Sequence, residues 1–143
     1  MLRGRFGDTT AAPYIEASVH FPRLGLRGYV SFLVDTGANG SVLMPADSKK
    51  LGVDFRALRN PTTSQGIGGF AKGFEEDSVL AFSGGRYVYG YDINIEVSSP
   101  TPDNRYLPSL LGRDVLNRWR VVIDFTKRRA TFTPHTWDLR IKL

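Results

Sequence analysis

One carboxylate in this sequence stands where a carboxylate is hard to place. Asp35 follows the apolar run Phe32-Leu33-Val34 and is separated by Thr36-Gly37-Ala38-Asn39-Gly40-Ser41 from a second run, Val42-Leu43. Strands on both sides would hold the group in a fixed position, and aspartate is rarely buried unless it is paired or hydrogen-bonded. The chemistry that uses such a group is general acid–base catalysis. One carboxylate cannot be the acid and the base at once, so the catalytic reading requires a second copy of the same turn. Taken alone, Asp35 reads more readily as a turn residue capping local amides than as a catalytic group.

Other reactive groups are sparse. There is no cysteine, which excludes disulfides, thiol catalysis and Cys-ligated metals. The two histidines, His20 and His135, lie far apart, which leaves little for a histidine-rich metal site or a Ser-His-Asp triad. Asp124 sits in an apolar segment and is expected to pair with a basic neighbour such as Arg120. No metal or cofactor is expected. The net charge of +5 is spread along the chain, densest at Arg118-Trp119-Arg120 and Lys127-Arg128-Arg129. Without an accompanying nucleic-acid-binding motif it reads as solvated surface charge, so no nucleic-acid partner is expected.

The elements that must position Asp35 are mostly strands. A length of 143 residues suits one core, and 41% hydrophobic with 23% charged residues is a globular composition. Tyr14–Phe21 and Tyr29–Val34 read as a hairpin leading into Asp35. Pro45–Gly52 reads as a short helix, with proline at its first turn and glycine at its stop. Thr62–Phe74 is a Gly-rich hairpin containing Gly66-Ile67-Gly68-Gly69. It lacks the Gly-Lys-Ser/Thr that a phosphate loop would carry. Ser78–Phe82 and the alternating Tyr87–Val97 are strands. Ser109–Gly112 is a short apolar strand, Arg113–Trp119 one to two turns of helix, and Arg120–Phe125 with Ala130–Thr133 a hairpin. Residues 1–12 are expected to be a flexible arm, 13–133 the domain, and 134–143 a tail that could add a strand at a dimer interface. Met1–Arg5 has charge but no apolar segment behind it, and no apolar run reaches membrane length. The expectation is therefore a cytoplasmic protein with no membrane partner.

Three segments together resemble the retropepsin-like aspartic proteases, the single-domain group that includes retroviral enzymes and cellular and bacterial relatives. They are Phe32-Leu33-Val34-Asp35-Thr36-Gly37-Ala38, the Gly-rich hairpin Gly66-Ile67-Gly68-Gly69, and Leu110-Leu111-Gly112-Arg113-Asp114-Val115-Leu116. The resemblance implies an all-β fold, a closed acid-protease barrel with one or two short helices and a Gly-rich flap. It also implies a homodimer that hydrolyses peptide bonds in an extended, apolar substrate by a water activated between two Asp35 carboxylates. A retropepsin-fold module that binds peptides or dimerises without cleaving is the alternative.

Residue by residue, the resemblance makes Asp35 catalytic and Thr36 the brace between the two turns. Gly37 becomes the point of close backbone approach. Ala38 replaces a serine of two-lobed relatives, which implies a less acidic pH optimum than a serine-bearing site would have. Gly66, Ile67, Gly68 and Gly69 become the flap tip that binds substrate together with Asn39, and Arg113 and Asp114 become structural supports. Asn39 stands where retroviral enzymes usually carry aspartate, which leaves Arg113 without that charged partner. Retroviral enzymes interleave short terminal strands, whereas this chain adds Pro134–Leu143.

Overall fold

The computed structural model describes residues 1–66 and 69–143. Along the chain run β1 (Leu2–Arg3), β2 (Arg5–Phe6), β3 (Pro13–Phe21), β4 (Leu26–Val34), β5 (Val42–Leu43), α1 (Pro45–Leu51), β6 (Asn60–Gly66), β7 (Gly69–Gly84) and β8 (Tyr87–Ser98). They are followed by β9 (Ser109–Leu111), α2 (Arg113–Leu116), β10 (Trp119–Asp124), β11 (Arg129–Pro134) and β12 (Leu139–Lys142). The protein is all-β, as expected from its alternating apolar pattern. No helix among the described residues is long and apolar enough to cross a membrane.

The alternation decides what faces inward. Pro13, Ile15, Ala17, Val19 and Phe21 of β3 are buried, as are Tyr89, Tyr91, Ile93, Ile95 and Val97 of β8. Six strands close into a barrel in the order β8–β5–β9–β4–β3–β7, with β7 pairing back onto β8. Closure removes the free edges of these strands and leaves one apolar interior. At the base of that interior Phe82, Tyr91 and Trp119 meet edge to face. The Trp119 indole N–H donates to the Tyr91 hydroxyl at 2.7 Å, and that hydroxyl donates to the Thr136 carbonyl at 2.8 Å.

The barrel's connectivity places the turn after β4. Strand β9 lies between β4 and β5, parallel to the first (Val34 opposite Leu111) and antiparallel to the second (Val42 opposite Leu110). The Asp35 turn, which links β4 to β5, therefore has to cross the chain leaving β9. The β6–β7 hairpin projects beyond the barrel with Asn60 opposite Glu75 and Gly66 opposite Gly69. Ile67 and Gly68, expected at its tip, lie outside the described residues. A small second sheet has the order β1–β11–β10.

Two local expectations differ from what is observed. The first twelve residues do not run free. Leu2 pairs with Phe132 and is fully buried, and Arg5 pairs with Tyr14. Gly84 makes room for this strand, since a Cβ there would meet Leu2 Cδ2 at 2.5 Å. The helix after Gly112 stops at Leu116 because the chain must turn to enter β10 at Trp119. The tail forms an added strand, as its sequence allowed: β12 pairs with β8, with Leu139 opposite Gly90 and Lys142 opposite Tyr87. Asp138 fastens it by accepting from the Asp92 N–H and from Arg118, at 2.8 and 2.9 Å.

Candidate active site

Backbone bonds hold Asp35 at the end of β4. Its N–H donates to the Leu111 carbonyl at 3.0 Å, and its own carbonyl accepts from the Ala38 N–H at 3.2 Å. The Gly37 N–H donates to Asp35 Oδ1 at 3.0 Å, which fixes the carboxylate in its turn. A Cβ on Gly37 would stand 3.3 Å from that oxygen, so glycine keeps the approach open. Asp35 is half-buried rather than buried, while Thr36, Gly37 and Asn39 are exposed. The apolar flanks therefore present the carboxylate at the barrel's surface.

The segment after β9 carries the turn from beneath. Gly112 is the crossing point: a Cβ there would lie 2.5 Å from both C and O of Gly40 and 3.0 Å from the Ala38 carbonyl oxygen. All three contacts are backbone, so only glycine fits without moving a chain. Next to it, the Arg113 N–H donates to the Ala38 carbonyl at 2.9 Å. The Arg113 guanidinium donates to the Thr36 carbonyl at 2.7 Å and also to Asn39 Oδ1. The amide oxygen of Asn39 thus supplies the acceptor that an aspartate would have supplied, and Arg113 keeps a two-pronged hold on the turn.

Asp114 does more than support its helix. It accepts from the Ser41 N–H at 2.8 Å and the Ser41 hydroxyl at 2.7 Å, and it caps the Val115 N–H at 3.0 Å. The Ser41 oxygen accepts in turn from the Gly112 N–H at 3.1 Å. Ser41 is 2% exposed and Asp114 half-buried, and no buried side-chain oxygen of this network lacks a partner. Sequence reading missed Ser41. Its partners lie 73 and 71 residues away, and no local pattern marks the link.

An open cleft of about 880 Å³ runs past the turn. Asp35 and Ala38 line it, together with Gln65 of β6, Glu75 of β7, and Asn94 and Glu96 of β8. A second cavity of about 780 Å³ adjoins it between the β6–β7 hairpin and the loop after β8, lined by Phe70, Asp103 and Leu107 among others. Ser64 and Gln65 line both, so the hairpin roofs a continuous groove. Phe70 and Leu107 give the second cavity apolar walls, whereas Gln65, Glu75, Asn94 and Glu96 put polar groups into the cleft beside Asp35. Burial raises the Glu96 carboxyl above the usual glutamate range. A hydrogen bond from the Ser64 hydroxyl opposes the shift and the nearby Glu75 charge adds to it.

The structure therefore brings Asp35, Thr36, Gly37, Ala38, Asn39, Arg113 and Asp114 into one assembly. It sets Gly66 and Gly69 at the ends of the hairpin strands. Gly69 has φ +113°, a conformation that favours glycine. Among the described residues no cluster of His, Asp and Glu is arranged to hold a metal ion. Asp124 makes no ion pair with Arg120 in its own chain; its Oδ1 accepts from the Lys127 N–H at 3.0 Å.

A family model described as aspartyl protease matches residues 25–115, which contain the Asp35 turn, the hairpin and Arg113. A comparison with curated protein sequences finds no match. Among solved structures, a retropepsin-like aspartic protease from Rickettsia conorii is 24% identical with a TM-score of 0.56. That match covers 89% of this chain and 94% of the other. EIAV protease, complexed with the inhibitor HBY-793, is 22% identical with a TM-score of 0.52, covering 78% of this chain and 90% of that one. At these identities the two structures establish the fold, a retropepsin-like closed barrel, and the family match covers well over half of the sequence. The chain belongs to the aspartyl protease family.

Proposed function

We propose that this protein is an aspartic endopeptidase whose active site forms when two copies each contribute one Asp35. The observation that carries the proposal is the single Asp35 carboxylate, anchored through Gly37, Leu111 and Arg113 at the edge of a roofed groove, with the face of its turn exposed. A two-fold axis beside that face makes the two turns equivalent and lets one sequence supply both carboxylates. Two carboxylates in close approach do not both ionise readily, so the pair shares one proton, the general behaviour of aspartic-protease pairs. The ionised member takes a proton from a water held between them. The protonated member donates to the carbonyl oxygen of the peptide as the water oxygen attacks its carbon. Collapse of the tetrahedral diol, with proton transfer to the amide nitrogen, breaks the C–N bond without a covalent enzyme intermediate.

In this reading Gly66, Ile67, Gly68 and Gly69 close over the substrate and exclude water. The peptide lies extended along the groove and pairs with backbone edges. Thr36 braces the two turns, and Arg113 and Asp114 act as positioning residues. The test compares the purified chain with Asp35→Asn on an unfolded protein substrate. Cleavage by the first and none by the second supports the reading; equal behaviour of the two removes it.

A further inference from the structure

The cleft that holds Asp35 also holds two carboxylates that the cleavage step does not use, Glu75 of β7 and Glu96 of β8. They stand opposite each other in the ladder, so their side chains share a face. Like charges directly opposite destabilise a sheet. Their partners are neutral: the Ser64 hydroxyl donates to Glu96 Oε2 at 3.4 Å and the Asn94 amide to Glu75 Oε2 at 3.1 Å. Neither glutamate forms an ion pair among the described residues. The sequence carries 19 lysines and arginines, yet among the described residues none lines this cleft. Lys72 lines the adjoining cavity instead. Glu96 is the more enclosed of the pair, half-buried where Glu75 is exposed.

The strand register locates this wall relative to Asp35. Leu33, two residues before Asp35, stands opposite Leu110, Leu110 opposite Val42, and Val42 opposite Glu96. Three strand spacings and two residues of strand therefore separate Asp35 from Glu96, about 15 Å at most. An extended peptide covers that distance in about five residues. Gly40, on the chain between Asp35 and β5, lines the cleft without adding a side chain to it. A substrate held at Asp35 thus brings a nearby side chain to Glu96. A long cationic side chain suits that place, since its stem packs along the strand while its head bonds to the carboxylates. An acidic side chain would add a third negative charge. An apolar one would enclose Glu96 further and supply no cation.

We propose that the groove selects peptides with a lysine or arginine within about five residues of the cleaved bond. Glu96 is the specificity-determining residue and Glu75 its second carboxylate. This rests on the reading of Asp35 as one half of a catalytic pair. A two-fold axis repeats the wall on the other side of the cleaved bond, so a basic residue is favoured on both sides of it.

The test uses fluorescently labelled peptides of about twelve residues with a common apolar centre, flanked on both sides by lysine, by leucine or by glutamate. Cleavage by the wild type gives kcat/KM for each. Lysine is expected to exceed leucine by about tenfold, with glutamate last. Glu96→Gln keeps an acceptor for Ser64 and is expected to cut the lysine-to-leucine ratio by about fivefold. Glu75→Gln should lower it by a smaller factor, and Glu96→Lys should reverse the order in favour of glutamate. Binding is read separately, by anisotropy of the same peptides on Asp35→Asn with and without Glu96→Gln, and should show the same order. Equal kcat/KM or equal affinity across the three peptides, no measurable binding of any, or a lysine preference untouched by Glu96→Gln would each overturn the proposal. If Asp35→Asn cleaves as fast as the wild type, or neither cleaves, the catalytic reading falls. A lysine preference in binding that Glu96→Gln removes would then still uphold the role of Glu96.

Discussion

Replacing Ser41 by alanine removes one oxygen from the support beneath the turn, and the cost can be worked from its bonds. The hydroxyl donates to the Asp114 carboxylate at 2.7 Å and accepts from the Gly112 N–H at 3.1 Å, at a site 2% exposed. A hydrogen bond to a charged group contributes about 1.5–3 kcal/mol, and a buried donor left without a partner costs about 1–3 kcal/mol. Some relaxation follows, and Asp114 keeps its bonds to the Ser41 and Val115 N–H groups. About 3 kcal/mol is therefore expected for Ser41→Ala. With a urea slope of about 2 kcal/mol per molar, the unfolding midpoint should fall by about 1.5 M when both proteins are measured at one fixed concentration. Asp114→Ala should remove the same network, so the double variant should cost clearly less than the two single costs added together. A midpoint shift below about 0.3 M, or costs that simply add, would refute the claim that this network carries the turn.

Other perturbations act on the same assembly or on the cleft. Gly112→Ala forces a methyl against backbone atoms of Gly40 and Ala38 and should destabilise by about 3 kcal/mol with loss of peptidase activity, read by denaturation and peptide cleavage. Arg113→Ala should depress kcat by freeing Thr36 and Asn39. Asn39→Asp keeps the acceptor, adds charge at an exposed site, and should change stability by no more than about 1 kcal/mol. Glu96 binds its proton more tightly when folded than when unfolded, chiefly through burial. Its contribution to stability therefore falls as pH rises from the ordinary glutamate range through the raised one. Glu96→Gln should melt higher than the wild type above that window, and the advantage should fade as pH drops below it, as a series of Tm measurements against pH would show.

What could be read from the sequence was what short stretches dictate. The apolar flanks of Asp35, the hairpin entering it and the alternation of Tyr87–Val97 depend on residues a few positions apart, and they stand where expected. Pro45 and Gly52 bound α1 because each acts through its own backbone, and Gly52 adopts φ +84°. The features that were missed depend on distance. Ser41 reveals its role only once β9 is threaded between β4 and β5 and Asp114 arrives beneath it. Leu2 looked like part of a free arm because its partner, Phe132, lies at the other end of the chain. Glu96 reads as the polar side of an alternating strand; only the position of the hairpin turns that side into the wall of a cleft. The substitution of Asn39 looked like a lost ion pair, but an amide oxygen accepts from a guanidinium as a carboxylate does.

The central claim is that catalysis needs one Asp35 from each of two chains. The most direct measurement is the activity of wild-type protein co-refolded with increasing fractions of Asp35→Asn at constant total concentration. If both carboxylates are required, only pairs of wild-type chains are active. Activity then follows the square of the wild-type fraction, so an equimolar mixture retains about a quarter of the wild-type rate. A mixture that retains about half, falling in proportion to the wild-type fraction, would show that each chain works alone and would contradict the account.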